Sequence, residues 1–535
     1  MSISVDLLFL GGKVITGTSS SETFDAVAVK HGRIVAVGRA NELGRLEARR
    51  KVHLDGQVLI PGLIDAHNHL SMYSVLLRYV DCRVPLNGDV SDLQEIIRLK
   101  VQETAPGEWI RGWGFADYKV KQHRFPTLRE LDEVSPSNPV VVLHASGHSA
   151  VLNTLALEQL GIDEQTPDPP DGQIERDPQT GKPNGVLHEA AMQQFSFESM
   201  FREFVTLGPD EQIAVLQVGI EEYVKMGITT VCDAGCLPPL LSAYQEAERR
   251  GVLKCRVVAM PFYEWNEALL ESGLRSGFGS ERFKIGAIKL IGDGSLSGRT
   301  AAVSEPYQNT DGLGILYRDQ EALDKIVQEL DARGYQIAVH AIGDRAVEQV
   351  LLAYEKVIGR GNPNIRRHRM EHAGILNPDL LRFMADIDLV IATQPRMLYE
   401  QGDGFYRSCG EERIQWVYPY RAFIEKGLHV AGSSDCPVVS PDPILGMRDA
   451  LLRQTEEGRV LAPAQRLDPE QALHMFTQDA AYSIFEEDNK GTIEEGKLAD
   501  MIVLSGDPLT TPPETWEEQV QVEMTVVGGE IVYST

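Results

Sequence analysis

The sequence predicts an α/β fold: a (β/α)8 TIM barrel with a small β-sandwich built from both termini and an insertion after the first barrel strand. Three observations predict it. Apolar β-rich runs alternate with amphipathic stretches through the middle of the chain, the pattern of a parallel sheet covered by helices. Both ends carry short strands and turn signals, with too few strands at either end to bury a sheet face alone. The interval between residues 80 and 210 is rich in Pro and Gly and exceeds what a barrel connection needs.

At the start, "DLLFLGG", "AVAVKHGRIVAVG" turning near His31-Gly32, and "RKVHLDGQVLI" turning at Asp55-Gly56 read as strands. At the other end, "ADMIVLSGDP" and "VEMTVVGGEIVYS", with Gly528-Gly529 between two β-rich runs, have the same character. Residues 1–58 and 487–535 are therefore expected to form one composite domain beside a catalytic barrel over 59–486. Candidate barrel strands are 59–65, 140–144, 228–233, 255–260, 284–291, 336–340, 367–371, 388–393 and 428–433. That is one more than a (β/α)8 barrel needs. Between them lie helices such as 319–334, with Leu323, Ile326, Val327 and Leu330 at helical spacing. The surplus strand is assigned to an insertion over approximately 83–208, within which "TPDPPDGQIERDPQTGKPNG" (166–185) reads as extended loop.

The composition narrows the function. A 535-residue chain with 43% apolar and 24% charged residues is an ordinary globular protein of more than one small core. A formal net charge of −27 argues against nucleic acid or an anionic membrane as partner and leaves a small molecule. The six scattered cysteines suggest no disulfide framework, and Cys232 with Cys236 lacks the matching pair of a zinc site. The start "MSISVDLLFLGGKVI" lacks a basic leader, and no uncharged apolar run reaches membrane-span length. A cytoplasmic enzyme is the expectation, with a homodimer the commonest quaternary state.

The chemistry gathers at one end of the expected barrel, where TIM-barrel active sites lie. "LIPGLIDAHNHL" (59–70) ends in His67 and His69, two residues apart and so on one face of a strand. Two neutral imidazoles aimed at one point make half a metal site, although a hydrogen-bonded strand-end pair would look the same. "AIKLIGDGSLSGRTA" places Lys289 inside a strand, "IAVHAIGDRA" ends in His340, "RHRMEHAG" in His372 and "VAGSSDCP" in Asp435. Each has an ordinary alternative: a snorkelling lysine, satisfied core histidines, a turn-capping aspartate. Independent structural roles, however, have no reason to line five strands up on one rim.

The order His-x-His, Lys, His, His, Asp, with "PGLIDAHNH" near the start and "GTIEEGKLADMIVL" near the end, resembles the amidohydrolase superfamily. "KLIGDGSLSGRTA", "HAIGDRA", "RMEHA" and "SSDCP", with "RGWGFAD" and "SGHSAVLNTLAL" in the insertion, are similar to its N-substituted formamide deformylase-like branch. The resemblance runs nearly end to end and is more specific for fold than for substrate. It implies two divalent metal ions bridged by a CO2-derived carbamate on Lys289. Zinc suits nitrogen and oxygen ligands best, with manganese, iron and nickel also admitted. His67, His69 and Asp435 are implied on one ion, and His340 and His372 on the other. Charge agrees, because the carbamate, Asp435 and a bridging hydroxide offset ions that neutral imidazoles cannot.

The implied reaction is attack by metal-activated hydroxide on a non-peptide C–N bond, of an amide or an N-acyl or N-formyl amine. Asp435 takes the nucleophile's proton and returns it to the leaving nitrogen. The same core would also serve a cyclic amide, a carbamate, an ester or a phosphotriester. A non-catalytic scaffold would have lost ligands, and all six positions are filled. Arg299 and Arg345, just beyond two of the strands, are candidate substrate contacts, as are Trp113 and His148. With Tyr118, the last two belong to an insertion expected either to pack as a small domain or to close as a lid. Asp293 and Asp344 are expected to shape turns, and Glu371, alternating with His372, to point the other way.

Overall fold

The computed structural model describes residues 4–18, 23–85, 87–145, 147, 149–170, 172–195 and 197–535. The chain forms two compact units, one running to Leu70 and resuming over Ile220–Thr535, the other spanning Ser71–Gly219.

In the first unit eight parallel strands carry the expected barrel: β1 (Leu63–Asn68), β2 (Ile228–Cys236), β3 (Arg256–Pro261), β4 (Ile288–Ile291), β5 (Ile337–Ala341), β6 (Arg369–His372), β7 (Val390–Thr393) and β8 (Val430–Gly432). The ladder is not one closed ring. It forms two arcs, β1·β2·β3 with the short strand Phe283–Ile285, and β4 through β8 in sequence order. The fourth strand position is split at Gly286-Ala287, so one half pairs with β3 and the other with β5. The arcs meet through sparse contacts: a parallel bridge between Phe262 and Lys289 on one side, and on the other bonds such as Asp435 N–H donating to His67 C=O at 2.8 Å. The fold is therefore an α/β TIM-barrel-like one with two seams.

Alternation explains the two faces of these strands. Leu63, Ile288, Leu290, Ile337, Val339, Met370 and Ile391 pack outward with the surrounding helices, among them Gln320–Ala332 through Leu323, Val327 and Leu330. Ile64, Ala66, Cys232, Ala234, Val258, Ala338, Ala392 and Ala431 line the interior, closed from below by Ala480, Ala481 and Ile484. The small side chains leave room at the centre for long polar ones.

Strands from both ends of the chain join one eight-stranded sheet. Val58–Pro61 lies between them, antiparallel to Met501–Leu504 and parallel to the end of Ser4–Val14. Leu7 and Phe9 pack one way with Leu59, Met501 and Val503, while Leu8 and Leu10 pack the other way with Ala26 and Ala28. The strand that continues the sheet into β1 is thus zipped to the far end of the sequence.

The second unit holds a six-stranded sheet and contains the surplus strand, Val140–His144. The stretch 166–185 is not all loop: Gly172–Arg176 is an edge strand antiparallel to Pro183–Glu189. Only Ile174 of its five residues is fully buried, so the apolar alternation that would mark a strand is nearly absent.

Candidate metal centre

Three local features bring the polar residues to the barrel mouth. A bulge interrupts β1, since Val231 pairs with Asp65 whereas Asp233 pairs with Asn68. Bulges re-aim side chains, and this one sits beside His67. At the β8–β1 seam, His69 N–H also donates to Cys436 C=O at 2.8 Å, fixing both histidines against Asp435. His372 (φ 73°) and Asp435 (φ 59°) are non-glycine residues in the left-handed region, a strain retained where the surroundings fix it.

Among the described residues, one ligand atom each from His67, His372 and Asp435 lie within 4.8 Å of one another. His69 Nε2 is 3.1 Å from Asp435 Oδ1, and His67 Nε2 is 3.3 Å from the same oxygen. The His340 ring centroid lies 4.4 Å from that of His372, which is 5.0 Å from that of His67. Lys289 is 1% exposed and, among the described residues, makes no side-chain hydrogen bond or ion pair. Burial lowers its ammonium to about 8, against the opposing pull of Glu371 and Asp435. Five of the six motif residues thus stand in one cluster, and Lys289 is buried where it feels the charge of Asp435.

The ring nitrogens show what the cluster lacks. His69 donates Nδ1–H to Ala234 C=O at 2.7 Å, His372 donates Nδ1–H to Gln394 Oε1 at 2.8 Å, and His67 donates Nδ1–H to Glu371. With those protons committed, neutral rings present Nε2 lone pairs. Two of these face Asp435 Oδ1, a third acceptor, and such a convergence is repulsive unless a cation stands between them. This donor set fits a divalent metal ion. His340 differs, donating Nε2–H to Gly294 C=O at 3.0 Å, which leaves Nδ1 as its ligand nitrogen.

The electrostatics carry the same demand for positive charge. Burial pushes the Asp435 carboxyl up, and only positive charge on the side where His67, His69 and His372 face it, from protons or from a metal ion in their place, holds it well below the usual range. Burial works against a charged His69, yet Asp435 raises it. Burial and the neighbouring His340 hold His372 well below the ordinary imidazole value, in the neutral form that a ligand requires. Beneath them burial lifts Asp65 to about 6, although Ser434 Oγ–H donates to it at 2.5 Å.

The other expected residues that are described make contacts of their own, and among them Asp293 Oδ1 stands 3.4 Å from His340 Nε2. Arg299 donates Nε–H to Ser408 Oγ at 3.2 Å, and Arg345 is half-buried; neither pairs with the His67–Asp435 group. In the second unit Arg83 lies over the Trp113 ring at 5.0 Å, whereas His148 lies outside the described residues. Asp293 organises a turn, accepting from Ala302, Ile342 and Gly343 N–H at 2.9, 3.0 and 2.8 Å, and Asp344 accepts from Ser304 N–H at 2.8 Å. All six cysteines are buried free thiols.

One expectation is overturned. Glu371 does not point away from the cluster but is fully buried against His67. The strand ends at His372, whose left-handed backbone breaks the alternation on which the expected orientation rests. Gln394 and Arg369 have no counterpart among the expected residues, because a glutamine beside a proline and an arginine in a strand carry no ligand signal.

A family model described as the amidohydrolase family matches residues 51–533. The chain is 29% identical to an N-substituted formamide deformylase from Arthrobacter pascens, over 99% of this chain and 98% of that one. It is 30% identical to the protein LONG AFTER FAR-RED 3 of Arabidopsis thaliana, over 99% and 92% of the respective chains. A solved structure of an uncharacterized metal-dependent hydrolase from Pyrococcus horikoshii OT3 aligns with a TM-score of 0.76 at 26% identity, covering 95% of this chain and 99% of that one. No described helix is long and apolar enough to cross a membrane.

Proposed function

The chain belongs to the amidohydrolase family, and on that premise we propose that this metal-dependent hydrolase of C–N bonds cleaves an N-acyl or N-formyl amine. The observation that carries the site assignment is the convergence of the His67 and His69 Nε2 atoms on Asp435 Oδ1 with both Nδ1 protons already spent. The likeness to a formamide deformylase supports the acyl group.

In this reading His67, His69 and Asp435 would hold one ion, His340 and His372 would hold a second, and a carbamate on Lys289 would complete the ligand set. A buried lysine without a partner is costly as an ammonium and would supply an anionic ligand when carboxylated. The bound ions, zinc by preference, supply Lewis acidity that lowers the pKa of water and polarises a carbonyl oxygen. Asp435 accepts the proton of the attacking water and delivers it to the leaving nitrogen, a task that suits a carboxylate held ionised by its neighbours. His67, His69 and His372 stay neutral and oriented, each with its Nδ1 proton committed. Arg299, Arg345, Trp113 and His148 are proposed to contact substrate. The eight-stranded sheet of the termini is read as a sandwich-type module (1–58 with 487–535) beside a 59–486 barrel with an insertion near 83–208. A cytoplasmic homodimer completes the reading.

The test is metal analysis of protein never exposed to chelator, followed by a screen of N-formyl and N-acyl amines, cyclic amides and esters. Bound metal with turnover of formyl or acyl amines is expected. Protein free of metal, or turnover confined to esters, overturns the proposal.

A further inference from the structure

Three of the four imidazoles lean on neutral acceptors: Ala234 C=O, Gln394 Oε1 and Gly294 C=O. His67 takes a carboxylate, that of Glu371, as its Nδ1 acceptor, whereas the Asp293 carboxylate stands off at 3.4 Å from His340 Nε2, beyond that ring's 3.0 Å bond to Gly294 C=O. That carboxylate is itself gripped from the same strand. Arg369 donates Nε–H to Glu371 Oε1 at 2.9 Å and a terminal N–H to Oε2 at 2.9 Å. The same terminal nitrogen reaches across to β1, donating to Ala66 C=O at 2.7 Å, one residue before His67. Arg369 and Glu371 are 1% and 0% exposed. A buried ion pair is weak evidence for stability, because desolvation offsets most of the attraction, so its retention at the barrel centre calls for another role.

We infer that Glu371 is a positioning residue for His67 and that Arg369 is the clamp that makes it usable there. The inference rests on the reading of His67 as a metal ligand. A carboxylate on Nδ1–H fixes the tautomer and raises the basicity of Nε2, so His67 becomes the strongest donor of the four rings. An unpaired carboxylate at that depth would add a full negative charge to the site. The guanidinium cancels it, so His67 gains a charged acceptor while the net charge of the centre stays unchanged. By bonding Ala66, Arg369 also ties the ligand-bearing strand to β6, setting where the ring stands as well as how it is turned.

The test is a titration of metal-free protein with Co2+ and Zn2+, reading affinity by chelator competition and the cobalt absorption spectrum. The proteins are wild type, Glu371→Gln, His67→Asn and Asp500→Asn, the last removing a buried carboxylate paired with Arg256 away from the site. Glu371→Gln is expected to weaken binding about 10–100-fold and shift the cobalt spectrum, while Asp500→Asn leaves both unchanged. Wild-type affinity and spectrum in Glu371→Gln, with binding lost in His67→Asn, overturn the inference and leave the metal reading standing. Wild-type binding in His67→Asn overturns the metal reading itself. Should Glu371→Gln fail to fold, Glu371→Asp, which keeps the charge one methylene back, takes its place: weakened binding with a shifted spectrum supports the inference, and wild-type values overturn it.

Discussion

In the proposed mechanism Asp435 does two things that pull on the same atoms, ligating and carrying a proton. Replacing it with Asn keeps the shape and removes the base, so kcat is expected to fall about 10²–10⁴-fold in samples matched for metal content. A loss under tenfold would assign the proton to another group. Lys289→Ala makes the complementary test, because removing the bridge should cut both metal content and rate, with partial rescue by short carboxylates. Full metal and rate in Lys289→Ala would exclude the bridge. The six motif residues are legible in the sequence because strand ends are marked by composition and each carries a ligand-type side chain. The partners of those residues are not. Strict alternation puts Glu371 on the wrong face, since it holds inside a strand and fails at the last residue, where His372 turns left-handed. Gln394 holds His372 only through the approach of β7 to β6, a proximity that one sequence does not encode.

The loop after β4 and the turn after β5 are built as one piece, pinned by the three backbone N–H groups that Asp293 accepts. They pack so closely that a Cβ on Gly343 would stand 1.9 Å from Ala302 O. Gly343→Ala is therefore expected to destabilise the protein by about 1–3 kcal/mol or more, read as a lower denaturation midpoint. Gly404→Ala, in the helix Arg396–Arg413 with open space around its added Cβ, should instead be neutral or gain up to about 1 kcal/mol. Equal losses in both would remove close packing as the cause. Helices and strands of this unit are readable because their apolar periods are long and regular. The break of the fourth strand at Gly286-Ala287, which divides the barrel into two arcs, follows from how β3 and β5 compete for it, and that lies outside any local pattern.

At the scale of the molecule, charges are buried where the sheet of the termini meets the barrel floor. Arg256 of β3 pairs with Asp500 at 2.7 Å, both nearly inaccessible, and Lys490 lies 3.6 Å from Glu486 with 3% exposure. Burial, reinforced by the charge of Arg256, lowers Lys490 to about 7. A folded-state value below the unfolded one means that the unfolded chain holds the extra proton between about pH 7 and 10. Stability from this group therefore rises with pH across that window, and its penalty is fully present below it. Denaturation midpoints measured from pH 7 to 9 should climb for wild type and flatten in Lys490→Met. An unchanged slope would release Lys490 from the role.

The zipping of Val58–Pro61 to Met501–Leu504 has a consequence for how the protein is made. The strand that leads into the first two histidines emerges from the ribosome about 440 residues ahead of the neighbour it is zipped to. Until then one flank of the early strand is an open edge, a template for pairing with another chain. Newly made molecules must therefore wait, exposed, while the residues between the two strands are made. A message cut short before residue 501 should yield chains that associate instead of folding, with the strand that leads to His67 and His69 held in an unfinished sheet.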